Sequence, residues 1–449
     1  MELLKKDIKP LFFKYLGAAF GSALISSIYV LVDMAMVGQY EGPNGTAAMA
    51  VVAPIWNIMF SLGLLTGIGG SVLFSSIKGR AEKNDKQPNE YFTTAVIYNA
   101  VFAFAFCAIV LLFSRPLLTM FGGEGEIMEL ALIYLKPIQY VIPVFMFTPL
   151  VSAFLRNDNN PGLATCAVLV SGVFNIVADY VFVFPMDMGI YGAGLATAIS
   201  PCISLLIMLT HFISKKNTIR FAKPSGFLTK IKNITVQGFS VFIVDIAMGV
   251  LTVIFNNQIV KYAGPDALAI YGIIVNIGTI VQNCAYSVGQ AAQPIISINY
   301  GAMRFDRIKQ TLKYAMGTAV FFGIVWTTAT VGFPNFFMNV FMKTTPSVLE
   351  IAPKIMRCYC ISFLILPINI FSTYYFQSIL MPGVAFSISV TRGIVLSGAL
   401  IYILPAIFGA DAMWLAIPIT EALVCVWAVF RMYSDTRKLI DGAKIDQAI

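Results

Sequence analysis

The chain has 449 residues, 58% of them apolar and only 12% charged, with a mean hydropathy of +0.81. Soluble domains are about 45–50% apolar and about 25% charged, so this composition excludes a water-facing globule. Thirty Lys and Arg against 22 Asp and Glu give a net charge of +8, yet no stretch of fold-sized length is hydrophilic enough for a nucleic-acid-binding domain.

A helix that crosses a bilayer needs about 20 mostly apolar residues, because lipid cannot satisfy backbone polar groups. By that measure the sequence predicts an all-α integral membrane protein with twelve transmembrane helices. They lie near 16–38, 47–77, 91–114, 128–155, 161–184, 190–213, 235–262, 267–299, 311–333, 354–381, 383–408 and 412–433. The second and eighth are long, which implies tilt, a kink or an amphipathic extension. Lys5, Lys6, Lys9 and Lys14 precede the first, and no small-residue cleavage site follows it, so it reads as a retained helix. The connecting segments then alternate in charge. The N-terminus, loop 78–90 with Lys78, Arg80, Lys83 and Lys86, the turn at Arg156, loops 214–234 and 301–313 and the C-terminal tail carry 23 of the 30 basic residues. The opposite loops hold only Arg115, Lys261, Lys343 and Lys354. Lys and Arg collect on the cytoplasmic side, so a multi-pass cell-membrane protein with both termini cytoplasmic is expected.

Cys107, Cys166, Cys202, Cys284, Cys358, Cys360 and Cys425 all lie in apolar stretches and form no CxxC pair. They are expected as packing or lipid-facing thiols, not as a disulfide framework. His211 is the only histidine, which argues against a His-based metal centre, a Ser–His nucleophile and hence an enzyme. No organic cofactor, nucleic acid or obligate protein partner is expected.

Loop 214–234 sits at the midpoint of the chain and prompts a search for duplication. Displaced by 222 residues, Gly42–Gly79 aligns with Gly264–Gly301 without a gap, and eight of 38 pairs are identical, Gly42-Pro43 with Gly264-Pro265 among them. At nearly the same offset Pro161-Gly162 meets Pro382-Gly383 and Leu195-Ala196 meets Leu415-Ala416. Two pseudo-symmetric six-helix lobes follow: residues 1–215, a basic cytoplasmic linker over 216–234, and residues 235–449. Six spans per half place the pseudo-twofold axis along the membrane normal, as in transporters that rock between two openings. Gly17-x-x-x-Gly21 and Gly63-x-x-x-Gly67 are candidates for close helix approach.

A carboxylate at the bilayer centre costs roughly 2.5–3.5 kcal/mol on insertion scales and needs a reason to be there. Asp33, Asp179, Asp245 and Glu421 are the acids in the interior of predicted spans. Asn175 and Asp179 stand at i and i+4, on one helix face, where a carboxylate and an amide oxygen can hold a proton or a small cation. Asp33 has a competing reading as a snorkel to the interface, and a structural role competes at the other three. If Asp33 and Asp179 meet, two carboxylates share one site and H+ or Na+ is the natural occupant. At the duplication offsets their counterparts are Phe255 and Leu400, so the paired acids belong to the first half alone. The second half offers Asp245 among many aromatics, Tyr374-Tyr375-Phe376 for example, a combination that suits a large amphipathic cation. Lys136, Arg357 and Arg392 also fall inside spans, as anchors or ion-pair partners that the sequence does not match to particular acids.

Val32-Asp33-x-x-Met36-Val37-Gly38 resembles the first-helix signature of the MATE (multidrug and toxic compound extrusion) family. Gln293-Pro294-Ile295-Ile296-Ser297-Ile298-Asn299-Tyr300-Gly301-Ala302, ending the eighth span, is similar to its MepA-like branch. Asn175-x-x-x-Asp179-Tyr180 and Gly189-x-x-Gly192-x-Gly194-x-Ala196-Thr197-x-Ile199-Ser200 fit the fifth and sixth helices of that pattern. The resemblance covers nearly the whole chain. It implies a two-lobed, V-shaped antiporter that exports organic compounds using an inward H+ or Na+ gradient. It places the cation site at Asp33, Asn175, Asp179 and Thr197, and leaves Asp245 as the candidate substrate-binding acid. The first-helix Pro on which some members bend is absent, with Ser26-Ser27 nearby. The tenth span holds no acid, so a complete second-half cation site is not implied. A flippase for lipid-linked precursors and, further off, a membrane-embedded enzyme stand as alternatives to export of organic cations.

Overall fold

Hydrophobic runs of this length satisfy their backbone groups internally, and helix is the result almost throughout. The computed structural model describes residues 2–80, 86–341 and 345–448, with the side chains of residues 245 and 442–448 outside the description. Lys83 and Lys343, counted in the loop charges above, lie outside the described residues. No strand occurs among the described residues.

Among the described residues, eleven helices are long and apolar enough to cross a membrane. They are α1 (Ile8–Arg80), α2 (Gln87–Met120), α3 (Gly125–Asn157), α4 (Pro161–Val183), α5 (Gly189–Ile213), α6 (Phe227–Tyr262), α7 (Gly264–Gly301), α8 (Phe305–Gly332), α9 (Pro346–Ser378), α10 (Pro382–Phe408) and α11 (Ala410–Asp441). The expected twelve crossings are all present, because α1 is two spans joined at Gly42, whose φ of 70° and ψ of −155° break an otherwise continuous 73-residue helix. Pro43 follows the break and starts the second span, a position where its missing N–H costs nothing. Elsewhere the boundaries exceed the apolar windows. Helix α6 begins at Phe227, before the expected 235, because helical hydrogen bonding runs on through the polar turn around Lys230 and Lys232. All seven cysteines are free thiols.

Backbone geometry repeats with the sequence. Left-handed φ values recur at Gly42 and Gly264, at Asn159 and Leu380, and at Asp187 and Gly409, each pair at the 221- or 222-residue offset. Pro161 and Pro382 then open α4 and α10 from caps of similar backbone geometry, φ −128°, ψ 53° at Asn160 and φ −110°, ψ 60° at Met381. A left-handed non-glycine residue is strained, and its recurrence at one spacing is stronger support for duplication than apolar identities. The paired glycines Gly67 and Gly289 share a role as well. A Cβ on Gly67 would lie 2.7 Å from the Leu150 Cα, and one on Gly289 would lie 2.5 Å from the Tyr374 ring. Gly63 likewise admits Pro149 and Met146, whereas Gly17 meets nothing within 4 Å and Gly21 only Thr165. Of the two glycine pairs singled out from spacing, one seats α1 against α3 and the other does not make a close contact.

Contacts divide the chain into two compact units: Gly17–Phe242, and Ile243 onward together with Leu3–Leu16. The division falls inside α6. The start of α6 stays with the first unit because Ile234 joins the cluster of Phe74, Phe92, Leu150 and Phe154. Gly238 also touches the Leu65 carbonyl so closely that no Cβ would fit. The N-terminal segment goes with the second unit for equally local reasons. Leu3, Leu11 and Phe12 are buried against α7 and its neighbours. The Leu3 carbonyl accepts from Asn299 Nδ2 at 3.2 Å and Arg307 Nη2 at 3.1 Å, and the Leu4 carbonyl accepts from Arg304 Nη1 at 2.8 Å.

Candidate functional site

Within the first unit, Asp33 on α1, Tyr134 on α3, Asn175 and Asp179 on α4 and Thr197 on α5 converge. Asp33 is 6% exposed, which rejects the snorkel reading. Its Oδ2 accepts from Tyr134 Oη at 3.1 Å and from Thr197 Oγ1 at 3.5 Å. Asn175 Nδ2 donates to Thr197 Oγ1 at 3.5 Å, so one chain of hydrogen bonds links α1, α3, α4 and α5. Asp179 is fully buried one turn beyond Asn175, near enough to Asp33 for their charges to interact.

The cluster is short of donors. Asp33 Oδ1, Asn175 Oδ1 and both oxygens of Asp179 are buried with no hydrogen-bond partner. A buried polar atom left unpaired costs about 1–3 kcal/mol, and more if charged. Among the described residues no ion pair reaches either carboxylate. Two buried carboxylates without a countercharge cannot both stay ionised, so the arrangement calls for a proton or a cation. Its donors are all oxygen, the set that hard cations prefer. Tyr134 is the residue that sequence reasoning missed. It sits in Leu130–Pro137 without a motif of its own, and only the packing of α3 on α1 brings its hydroxyl to Asp33.

The other intramembrane charges sort themselves. Arg392 Nε donates to Glu421 Oε1 at 2.6 Å, and Asn369 Nδ2 donates to Glu421 Oε2 at 2.6 Å. Glu421 thus has a structural ion pair on α10 and α11. Lys136 and Arg357 are exposed. Asp245 lies on α6, with its side chain outside the described residues. Phe255, the counterpart of Asp33, is buried and stacks on Tyr271 at 4.8 Å, with Tyr359 and Trp414 at 5.9 and 5.7 Å. The second unit fills with aromatic rings the place where the first carries an acid. No group of three or more His, Cys, Asp or Glu able to hold a metal occurs among the described residues.

His211 belongs to a separate network where helices end. Asp158, just past α3, accepts from Lys78 Nζ at 2.6 Å, His211 Nε2 at 2.8 Å and the Thr218 amide at 2.8 Å, and also from the Thr218 hydroxyl. Asn160 Nδ2 caps His211 Nδ1 at 3.0 Å. Burial alone would raise the Asp158 carboxyl, but the His211 hydrogen bond and the Lys78 ammonium outweigh it and hold it below the usual carboxylate range.

A family profile described as MatE matches this chain twice, over residues 18–181 and 241–403. The chain belongs to the MatE family. The two matches fall one in each half, as the duplication requires. The multidrug export protein MepA of Staphylococcus haemolyticus is 25% identical over 430 residues, covering 94% of this chain and 93% of its own. MepA of Staphylococcus aureus (strain MRSA252) is 24% identical over 432 residues, covering 93% and 94%. A solved structure of an outward-facing multidrug resistance MATE family transporter of the MOP superfamily superposes with a TM-score of 0.90 at 18% identity, covering 98% of both chains. A MOP superfamily transporter from Pyrococcus furiosus, described by the reversed polarity of its binding pocket, gives 0.90 at 17% identity with the same coverage. At these identities the structures establish the twelve-helix fold. The MatE protein is a multi-pass membrane transporter and not an enzyme.

Proposed function

We propose that this MatE protein is a multidrug exporter that couples outward movement of organic, amphipathic cationic compounds to inward movement of H+ or Na+. The observation that carries the reading is the cluster of four donor-less oxygens on Asp33, Asn175 and Asp179, cross-linked through Thr197 and Tyr134. Relatives named multidrug export protein support the export half of the proposal. Asp245, on the aromatic-rich half, is the proposed countercharge for the substrate. The loop charges support cytoplasmic termini in the cell membrane.

Coupling follows from linkage. An ion drives transport only if it binds one state of the carrier better than the other. With no ion the two carboxylates repel and the oxygens stay unpaired; with an ion the helices bearing Asp33 and Asp179 draw together. That difference biases the carrier between its two openings. The test is efflux of a fluorescent organic cation from proteoliposomes under separate H+ and Na+ gradients, for wild type, Asp33→Asn and Asp179→Asn. Loss of gradient-driven efflux in both variants, with folded protein retained, is expected. Full coupled efflux in both overturns the site.

A further inference from the structure

The second unit contains a cavity of about 70 Å³ lined by residues of α6, α7, α9, α10 and α11, with Val244 and Met248 on either side of Asp245 in sequence. A buried water needs about 10–15 Å³, so this space holds several waters or a small organic group. Its walls are mostly apolar and aromatic, with Met248, Leu251, Tyr271 and Phe363 prominent, and the Arg392–Glu421 pair stands at one side.

The pair is used unevenly. Both Glu421 oxygens are engaged, one by Arg392 Nε and one by Asn369. Arg392 spends only Nε. Its Nη1 and Nη2 groups have no partner among the described residues, although the side chain is 92% buried. Arginine and carboxylate usually meet as a two-pronged fork, and here the outer prongs are left to the cavity. The backbone contributes to that aim. Residues Thr391–Val395 form a π-helical turn, Ser397 Oγ caps the Arg392 carbonyl at 2.6 Å, and Gly393 lets the turn lie against Ala247. Such turns are costly and cluster at functional sites. Ser362 lines the same cavity with its hydroxyl buried and unpartnered. The repeat does not account for these groups, since Arg392 and Glu421 fall opposite Ser171 and Ser200 at the 221-residue offset.

We infer that this cavity is a binding site for an uncharged carbonyl group on a small apolar body, with Arg392 Nη and the Ser362 hydroxyl as its donors. Charge selects the class. Among the described residues Glu421 already neutralises the guanidinium, so a carboxylate ligand would leave a net buried negative charge, at a heavy desolvation cost. An ammonium ligand would face unpaired donors. An amide or ketone oxygen satisfies them and adds no charge.

The test uses three probes of one shape: 3,3,3-trifluoropropanamide, its carboxylate and the corresponding amine. Binding is read by 19F saturation transfer on the full-length protein in detergent. Gly278→Leu fills the cavity without touching the ion pair, since a Cβ there meets only the Phe363 ring, at 3.7 Å. Arg392→Lys keeps the charge but loses the fork, and Arg392→Gln with Glu421→Gln removes both charges together so that neither is stranded. The expected result is saturable binding of the amide to wild type, at least tenfold weaker in Gly278→Leu and in either Arg392 variant, with carboxylate and amine at least tenfold weaker than the amide. Absence of amide binding, amide binding unchanged by Gly278→Leu, or preference for either charged probe overturns the assignment. None of these readouts depends on ion-driven efflux, so the outcome is separate from that of the carboxylate cluster.

Discussion

Replacing Asp158 by Ala removes the acceptor that holds together the end of α1, the end of α3, the end of α5 and the loop at Thr218. Lys78 and His211, 11% and 0% exposed, would lose their carboxylate and keep only neutral partners, the Thr218 hydroxyl for Lys78 and Asn160 for His211. Breaking a buried pair on one side costs about 3–5 kcal/mol, chiefly through the stranded charge. A same-length comparison is built into the protein. Arg115 and Glu129 also stand 2.6 Å apart, as do Lys78 and Asp158, but are 62% and 60% exposed. Exposed pairs are worth little because water solvates the survivor, so Glu129→Ala should leave the unfolding temperature unmoved. Thermal unfolding of purified protein in detergent, at one heating rate, measures both. The pH dependence separates charge from shape. A carboxylate held below its ordinary value contributes its stability above the unfolded-state pKa of about 3.9 and loses it as pH falls through the lower folded value. The gap between wild type and Asp158→Ala should therefore narrow as pH falls below about 4. Equal effects of Asp158→Ala and Glu129→Ala, or a gap that widens in acid, would refute the reasoning.

Three further expectations follow from other contacts. Tyr134→Phe and Asp33→Ala should be non-additive in a double-mutant cycle on unfolding, with a coupling of about 0.5–3 kcal/mol; additive losses would deny the Tyr134–Asp33 bond. Gly67→Val must force the backbone of Leu150 away from α1, so a marked drop in unfolding temperature is expected, while Gly17→Val, with open space around it, should behave as wild type. Glu421→Ala strands the Arg392 guanidinium and should cost about 3–5 kcal/mol, whereas Glu421→Leu with Arg392→Met should recover most of that loss, as read by the same unfolding assay.

Much of the architecture was legible before any packing was known. Hydropathy located the spans, and Gly42-Pro43 against Gly264-Pro265 disclosed a duplication that the left-handed residues at 159 and 380 then bore out in backbone geometry. Asn175 and Asp179 could be placed on one face from their spacing alone. Tyr134 could not be found, because its role depends on the rotation of α3 against α1. The Arg392–Glu421 pair was equally hidden, for the two residues lie on different helices and each had several possible mates.

The sequence by itself determined that the chain crosses a membrane twelve times, that it is built from two related halves, and that Asp33 and Asp179 have no acidic counterparts in the second half. Those are properties of segments, since the cost of placing a residue in lipid depends mainly on that residue and its immediate neighbours. Only the tertiary structure decided which oxygens are left without donors, that Glu421 is paired with Arg392, and that Leu3–Leu16 packs with the second unit. Each of these depends on how far one helix is turned and shifted against another. That relation arises from side-chain packing between distant segments, and no single segment encodes it.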